Sequence, residues 1–167
     1  VVHRDLKCAN LMFVDKDPLK SAVKLIDFGN GAKLAKTETL RGNLSTCFAA
    51  APEVLDQIFR GGGGYDEKVD IWSVGTIAYE LFTGQRLFNV AKLSEMDREL
   101  RVFSTEQLCS KLASLPPDGV DFICKLLMRN PSKRPSATIC LDHPFLRRPE
   151  KAGFPLPSLL RRRSELA

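Results

Sequence analysis

Eight consecutive residues near the start of the chain constrain its fold and chemistry more than any other stretch. Residues 3–10 read His-Arg-Asp-Leu-Lys-Cys-Ala-Asn, and a short apolar run, Leu11–Phe13, follows directly. A tight loop leading into a strand would let Asp5, Lys7 and Asn10 face one small volume. A carboxylate can accept a hydroxyl proton, an ammonium can steady a moving phosphoryl group, and an amide oxygen can hold a metal ion. The trio therefore suits phosphoryl transfer, whereas a lone Asp-x-Lys pattern indicates only a polar loop before a strand.

A predicted hairpin follows this stretch and ends in a second polar motif. Residues 11–14 and 22–26 read as two strands, and the turn between them contains Asp and Pro. Asp27-Phe28-Gly29 comes directly after the second strand. Because glycine frees the next backbone angle, this motif presents a carboxylate at a mobile joint. Asp-Phe-Gly alone indicates little more than a turn, but its place at the end of this hairpin makes the two motifs together specific.

In order and spacing, the two motifs resemble the catalytic loop and the Asp-Phe-Gly motif of the eukaryotic protein kinases, and Lys7 favours the serine/threonine kinases among them. The resemblance implies that Asp5 is the catalytic base and that Lys7 steadies the transferred phosphoryl group. It also implies that Asn10 and Asp27 hold magnesium ions bound to the ATP phosphates. We therefore expect ATP and Mg²⁺ as cofactors, with Lys7, Asn10 and Asp27 as the ATP-binding residues.

The same resemblance gives structural roles to residues around these motifs. It implies that His3 stacks on Phe28 in the core that aligns the two lobes of a kinase, next to the mobile Gly29. Residues 67–82 are apolar on nearly every side and too short to span a bilayer, so they are predicted to form a buried central helix. By resemblance, Asp70 of this helix bonds to the backbone around the catalytic loop.

Residues 30–50 have little periodicity and many small polar side chains, which is typical of an exposed loop. By resemblance they form the activation segment, bounded by Asp-Phe-Gly and by Ala51-Pro52-Glu53. Arg4 would pair with a phosphate added to this segment and so order it. Thr46 stands where serine/threonine kinases place a threonine that bonds toward the catalytic Asp and Lys. Which hydroxyl takes the phosphate stays open, and the candidates are Thr37, Thr39 and Ser45.

A buried ion pair is also implied by the resemblance. Glu53 begins a short predicted helix over residues 53–59, and an acidic residue there is favoured by the helix dipole. In the kinase family this glutamate pairs with a buried arginine far along the chain. Arg134, within Pro-Ser-Lys-Arg-Pro, matches that partner.

The predicted fold is mainly α: the C-terminal lobe of a protein kinase, with a small β-hairpin at the catalytic loop. Further helices are predicted over residues 90–102, 106–115, 119–129 and 136–141. Residues 1–148 would form the C-lobe portion of a catalytic domain, and residues 149–167 a basic tail rich in Pro and Arg. The Gly-rich loop, the lysine-bearing strand and the partner helix of the N-terminal lobe are absent from the sequence. We therefore expect that lobe to precede Val1 in the same polypeptide, and this stretch alone to be inactive and unstable.

Charge, hydrophobicity and cysteine content limit which partners and which cellular compartment we expect for the protein. The net charge is +5, and much of the excess lies in the arginines of the tail. No helix carries a basic stripe with interleaved aromatics, so we predict no binding to nucleic acid. No run reaches the roughly 18 apolar residues that would span a bilayer, so we predict no membrane segment. Five cysteines without C-x-x-C spacing indicate free thiols in a reducing compartment, and we expect an intracellular, cytoplasmic protein.

The sequence thus predicts a serine/threonine kinase that transfers the γ-phosphoryl group of MgATP to hydroxyls of a protein substrate. Residues 65–75 look most like calcium- and calmodulin-dependent kinases and their plant and protist relatives, so an upstream activating kinase or a calcium-sensor region is a further expected partner. By resemblance, Ala9 stands where kinases that prefer basic substrates often have a glutamate, which binds an arginine before the target residue of the substrate. Glu80 matches a second acidic position of such kinases. We therefore predict a mild preference for basic substrates. Phe48 and Ala49 depart from the family pattern and affect the substrate pocket more than the chemistry. The alternative is a truncated, non-catalytic kinase-like protein that binds or regulates a partner.

Overall fold

A computed structural model of the chain describes residues 1–17, 20–35, 38–42, 46–113 and 115–147. Helices dominate these residues, which confirms the predicted mainly α fold with one small hairpin. Thr37, Ser45 and the predicted tail of residues 149–167 lie outside this described part. The helices within it are α1 (Pro52–Arg60), α2 (Lys68–Thr83), α3 (Leu93–Val102), α4 (Thr105–Lys111), α5 (Pro117–Leu126) and α6 (Ala137–Leu141).

The hairpin consists of strands β1 (Leu11–Phe13) and β2 (Val23–Leu25), which pair antiparallel with Leu11 opposite Leu25. Each strand is shorter than predicted, although backbone bonds continue the pairing at both ends. The amide of Val14 donates to Ala22 at 3.0 Å, and the amide of Ile26 donates to the carbonyl of Asn10 at 3.0 Å. The second bond brings the residues before β1 next to the residues after β2.

Helix α2 lies at the centre of the fold and packs on α5. Gly75 makes this packing close, because a Cβ at that position would lie 2.8 Å from the Leu127 side chain. Trp72 is fully buried, yet Val74 and Leu81 are 37% and 46% exposed. These two residues form an exposed stripe along the predicted central helix. No helix of the described part is long and apolar enough to cross a bilayer.

Several helix ends differ from the predicted ones for local chemical reasons. Helix α5 begins at Pro117 rather than at residue 119, because proline lacks an amide hydrogen and suits the first helical position. Helix α3 begins only at Leu93, since the Glu95 carboxylate accepts hydrogen bonds from the amides of Ala91 and Lys92 and caps the helix there. Gly61 ends α1 with a left-handed φ of 67°.

A buried guanidinium joins three parts of the helical core. The Arg134 side chain donates from both terminal nitrogens to the two carboxylate oxygens of Glu53, at 2.6 and 2.8 Å. Its remaining donors reach the backbone carbonyls of Met128, Lys68 and Arg129 at 2.7, 2.9 and 3.3 Å. Arginine carries five N–H donors, so the guanidinium is fully satisfied although its side chain is wholly buried. Complete pairing is the condition under which a charge is tolerated in a core.

Removal of Glu53 should therefore strongly destabilise the fold. We expect Glu53→Ala to lower the free energy of unfolding by about 3–5 kcal/mol, because the Arg134 charge would stay buried without its counter-ion. The measurement is urea unfolding of the full chain followed by circular dichroism. Lys125→Ala is the matched control, since it breaks an exposed pair with Asp121 and should change stability by about 0.5 kcal/mol or less. Equal effects of the two substitutions would contradict a structural role for the buried pair.

Candidate active site

The carboxylate of Asp70, on α2, binds the backbone of the loop before β1. The amide of His3 donates to Oδ2 of Asp70 at 2.7 Å, and the amide of Arg4 donates to Oδ1 at 2.9 Å. Arg4 has a left-handed φ of 65°, an uncommon conformation for a residue with a side chain. Since both oxygens of Asp70 bind consecutive amides, they stabilise this turn and attach the loop to the helical core.

His3 links the loop to the Asp-Phe-Gly motif. One ring nitrogen, Nε2, lies 3.0 Å from the carbonyl oxygen of Ile26, and the ring centroid lies 4.6 Å from that of Phe28. The other nitrogen, Nδ1, accepts from the amide of Asp5 at 3.3 Å. Because a carbonyl only accepts, Nε2 carries the proton and Nδ1 keeps its lone pair for Asp5. The ring therefore orients the backbone that presents the Asp5 carboxylate.

Asp5, Lys7 and Thr46 form a closed triangle of hydrogen bonds. The Lys7 ammonium donates to Oδ2 of Asp5 at 2.8 Å and to Oγ1 of Thr46 at 3.0 Å. The Thr46 hydroxyl in turn donates to Oδ1 of Asp5 at 2.5 Å. The Asp5 side chain is only 2% exposed and the Lys7 side chain 23%, so the carboxylate is buried while the ammonium reaches solvent. The Asn10 amide nitrogen also donates to Oδ2 of Asp5, at 3.4 Å. A buried carboxylate held by a cation, a hydroxyl and an amide is positioned to accept a hydrogen bond from a substrate group.

Asn10 and Asp27 supply the oxygen atoms that suit a hard metal ion. The Asn10 amide nitrogen donates to the carbonyl of Asp5 at 2.8 Å, which leaves its amide oxygen as the atom that can act as a metal ligand. Backbone pairing of Asn10 with Ile26 places Asp27 one residue further along the same edge. Asp27 is exposed at a left-handed φ of 65°, and its Oδ1 accepts from Gly29 at 3.3 Å.

These two donors fit magnesium, although they cannot complete its shell. Mg²⁺ prefers oxygen ligands and keeps several waters and phosphate oxygens, so one or two protein oxygens suffice. No group of three or more His, Cys, Asp and Glu side chains that could hold a metal occurs in the part of the chain that the structure describes. The donor set is therefore that of an ion shared with a phosphate ligand rather than that of a protein cage.

The loop that follows Asp-Phe-Gly contacts the site through Arg4 and Thr46. The Arg4 Nε donates to the carbonyl of Asn30 at 2.5 Å, at the start of the segment. Of the predicted phosphate acceptors, only Thr39 falls within the described residues, and it is exposed. A bridge between Leu40 and Tyr65 follows it, and Gly64 is needed there because a Cβ would lie 2.3 Å from Thr39 Oγ1.

The chain matches a known protein family over most of its length. The family model described as "Protein kinase domain" matches residues 1–146 of the chain. The chain belongs to the eukaryotic protein kinase superfamily. The match starts at the first residue of the chain and runs through the catalytic loop, the hairpin and all six helices.

Curated plant kinases are among the relatives of this kinase chain. It is 37% identical over 148 residues to mitogen-activated protein kinase kinase kinase 9 of Arabidopsis thaliana, covering 89% of the chain and 18% of the relative. CDPK-related kinase 7 of the same plant is 37% identical over 146 residues, covering 87% and 24%. Calcium/calmodulin-dependent serine/threonine-protein kinase 1 of Oryza sativa subsp. japonica is 33% identical over 162 residues, covering 97% and 26%. The chain thus spans about a fifth to a quarter of the length of these kinases.

A cation that could not be expected from the sequence lies at the edge of the candidate active site. The Arg86 guanidinium carbon is 4.0 Å from the centre of the Phe48 ring, and its Nε is 4.0 Å from Oε1 of Glu80. These contacts border an open groove of about 330 Å³, which also includes Thr46 and Val90. Arg86 lies in an irregular loop after α2, and nothing in the local sequence predicts its contact with Phe48. The departure of Phe48 from the family pattern was the one feature of the sequence that pointed to this groove.

Cys8 of the kinase loop is held as a neutral thiol. Its sulfur donates to Oε2 of Glu80 at 3.6 Å. Burial, with a further contribution from the Glu80 carboxylate, raises the pKa of Cys8 to about 11. The thiolate is the reactive form of cysteine, so Cys8 should be a poor nucleophile at neutral pH.

Alkylation tests this assignment. At pH 8 we expect iodoacetamide to modify Cys8 at least about tenfold more slowly than a cysteine in an unstructured peptide, and the rate to rise steeply toward pH 11. Mass spectrometry of the peptide containing Cys8 gives the rate. Glu80→Gln should speed the reaction, because it removes the carboxylate that disfavours the thiolate. A rate at pH 8 equal to that of the free peptide would refute the raised pKa.

Proposed function

We propose that this protein is a serine/threonine protein kinase, which transfers the γ-phosphoryl group of MgATP to hydroxyls of protein substrates. The observation that carries the proposal is the hydrogen-bonded triangle of Asp5, Lys7 and Thr46, with distances from 2.5 to 3.0 Å. It joins the catalytic loop to the end of the activation segment, residues far apart in the chain. The arrangement of an ammonium and a hydroxyl around a buried carboxylate supports a catalytic role for this loop.

The proposed mechanism follows from the residues of the triangle. Asp5 would orient the substrate hydroxyl and accept its proton, because its carboxylate is buried and oriented by donors from Lys7, Thr46 and Asn10. The Lys7 ammonium would offset negative charge on the phosphoryl group as it moves. Thr46 would position both groups, since it donates to one and accepts from the other. Asn10 and Asp27 would hold magnesium, which supplies neutralisation of the phosphate charge when it is bound.

We further propose that an upstream lobe of the same polypeptide completes the nucleotide site. The hairpin and the Asp-Phe-Gly motif expose a band of large apolar side chains: Met12, Phe13, Val23 and Phe28 are each more than 50% exposed. Neighbouring exposed apolar residues of this kind mark a surface that another part of a protein covers. In this proposal residues 1–148 are the C-lobe portion of the catalytic domain, and residues 149–167 are a basic tail.

Regulation and location are part of the same proposal. The contact of Arg4 with the first residues of the activation segment supports control by a phosphate placed there by an upstream kinase. A calcium-sensor region is supported by the names of two relatives, which refer to calcium/calmodulin dependence or to CDPK. An intracellular location is supported by five cysteines that are all free thiols.

The kinase proposal is tested by charge removal at the proposed catalytic residues. In the full-length protein, Asp5→Asn and Asp27→Asn should each lower kcat for peptide phosphorylation by about 100-fold or more, because they remove the base and a metal ligand. Incorporation of labelled phosphate gives kcat, and thermal unfolding checks that each variant folds.

Asp15→Asn is the matched control, since Asp15 is an exposed carboxylate of the hairpin turn and should leave kcat unchanged. Full activity in the Asp5 variant would reject the assigned base. A folded full-length protein without activity, indistinguishable from both variants, would favour the alternative of a non-catalytic binding or regulatory module.

Substrate preference should depend on Arg86. The contact of Arg86 with Glu80 offsets the acidic position expected to favour basic substrates. We therefore expect Arg86→Ala to lower KM for an arginine-containing peptide about two- to fivefold relative to the same peptide with alanine, as exposed ion pairs allow. Arg86→Lys, which keeps the charge, should resemble the parent. An unchanged KM ratio in the alanine variant would show that Arg86 has no part in selection.

A further inference from the structure

Two cysteines from neighbouring helices lie side by side outside the candidate active site. Cys109 belongs to α4 and Cys124 to α5, and their sulfur atoms are 2.9 Å apart. A disulfide bond is about 2.05 Å long, so the two sulfurs need to approach each other by only about 0.9 Å to bond. Both residues are half-buried free thiols.

The packing of the two helices sets this proximity. Leu108 and Ile123, which directly precede the two cysteines, are 1% and 0% exposed. Leu112, one turn after Leu108, is equally buried. Because buried neighbours anchor both backbones, helix packing in the core holds the two cysteine positions next to each other.

We propose that Cys109 and Cys124 form a reversible disulfide when the protein meets a peroxide. The Cys109 sulfur attacks one peroxide oxygen, the O–O bond breaks, and a sulfenic acid and one water form. The Cys124 sulfur then attacks the sulfenic sulfur, its proton leaves with the displaced hydroxyl as a second water, and the S–S bond forms. The two thiols lose two electrons and two protons, and the peroxide is reduced to two waters. A thiol reductant reverses the reaction.

The surroundings give the two cysteines different parts in this reaction. Cys124 packs against the main hydrophobic core, on its partly buried rim. Burial, with the neighbouring Cys109, raises the pKa of Cys124 to about 12, so this thiol stays protonated at neutral pH. Because Cys124 is the one that packs on the core, we assign Cys109 as the sulfur that meets the oxidant and Cys124 as the sulfur that resolves the sulfenic acid.

A metal site would be the other use of two adjacent thiols. Zinc in a structural site takes four ligands, and iron–sulfur clusters are also held by several cysteines. In the described residues, no His, Asp, Glu or third Cys completes a group around this pair. The dithiol chemistry is thus favoured over metal binding.

Peptide mapping tests the proposal directly. The full chain is reduced, treated with hydrogen peroxide at pH 7, blocked with N-ethylmaleimide and digested with trypsin. Cleavage after Arg101, Lys111 and Lys125 places the two cysteines in separate peptides, residues 102–111 and 112–125. We expect one joined ion, two hydrogen atoms lighter than the sum of the peptides, which dithiothreitol splits. The oxidised protein should also melt about 5–10 °C higher, because the bond closes a loop in the unfolded chain.

Single substitutions separate the two roles. Cys124→Ser should leave a sulfenic acid on Cys109 that dimedone traps, whereas Cys109→Ser should leave Cys124 unoxidised. Cys140→Ser is the control, since Cys140 is another half-buried thiol, and the joined ion should persist in it. Blocked, unlinked peptides in the wild type after peroxide treatment would overturn the proposal, as would a disulfide from either cysteine to any other. These outcomes are independent of phosphotransfer.

Discussion

The buried guanidinium of Arg134 is the interaction on which the rest of the structure depends. Its five donors bind one carboxylate and three backbone carbonyls, and they join α1 to the start of α2 and the chain after α5. The guanidinium carbon also lies 5.0 Å from the centre of the Trp72 ring in the core. Since an unpaired charge in such a place is strongly unfavourable, these elements can adopt only the arrangement that satisfies every donor.

Two further connections attach the candidate active site to this helical core. Glu53 holds the start of α1, and the chain before it passes through fully buried alanines, Ala50 and Ala51, to Thr46. Asp70, on α2, fixes the loop that presents Asp5. The triangle of Asp5, Lys7 and Thr46 therefore closes between two segments that are each attached to the same core. The geometry of the candidate active site therefore depends on helix packing.

Much of this could be anticipated from the sequence, because local patterns have local physical causes. Glycine at residues 61 and 84 ends helices, and both have left-handed φ angles of 67° and 71°. The apolar character of residues 67–82 matches α2, apart from the exposed stripe with Val74 and Leu81. The exposure of that stripe depends on which other elements cover the helix. The start of α3 was missed, because a side-chain cap by Glu95 overrides periodicity.

The sequence by itself determined the chemistry available to the chain. It places an acid, a base and an amide within one loop and follows them with a hairpin and a second carboxylate. The order and spacing of these motifs are what make them specific for the kinase family. Only the tertiary structure decided which distant groups meet these residues. Arg86 over Phe48, Cys8 beside Glu80 and Cys109 beside Cys124 are contacts between separate elements, and such contacts depend on helix packing in three dimensions. Spacing along the chain carries information about a local motif, whereas the neighbours of a side chain are set by the whole core.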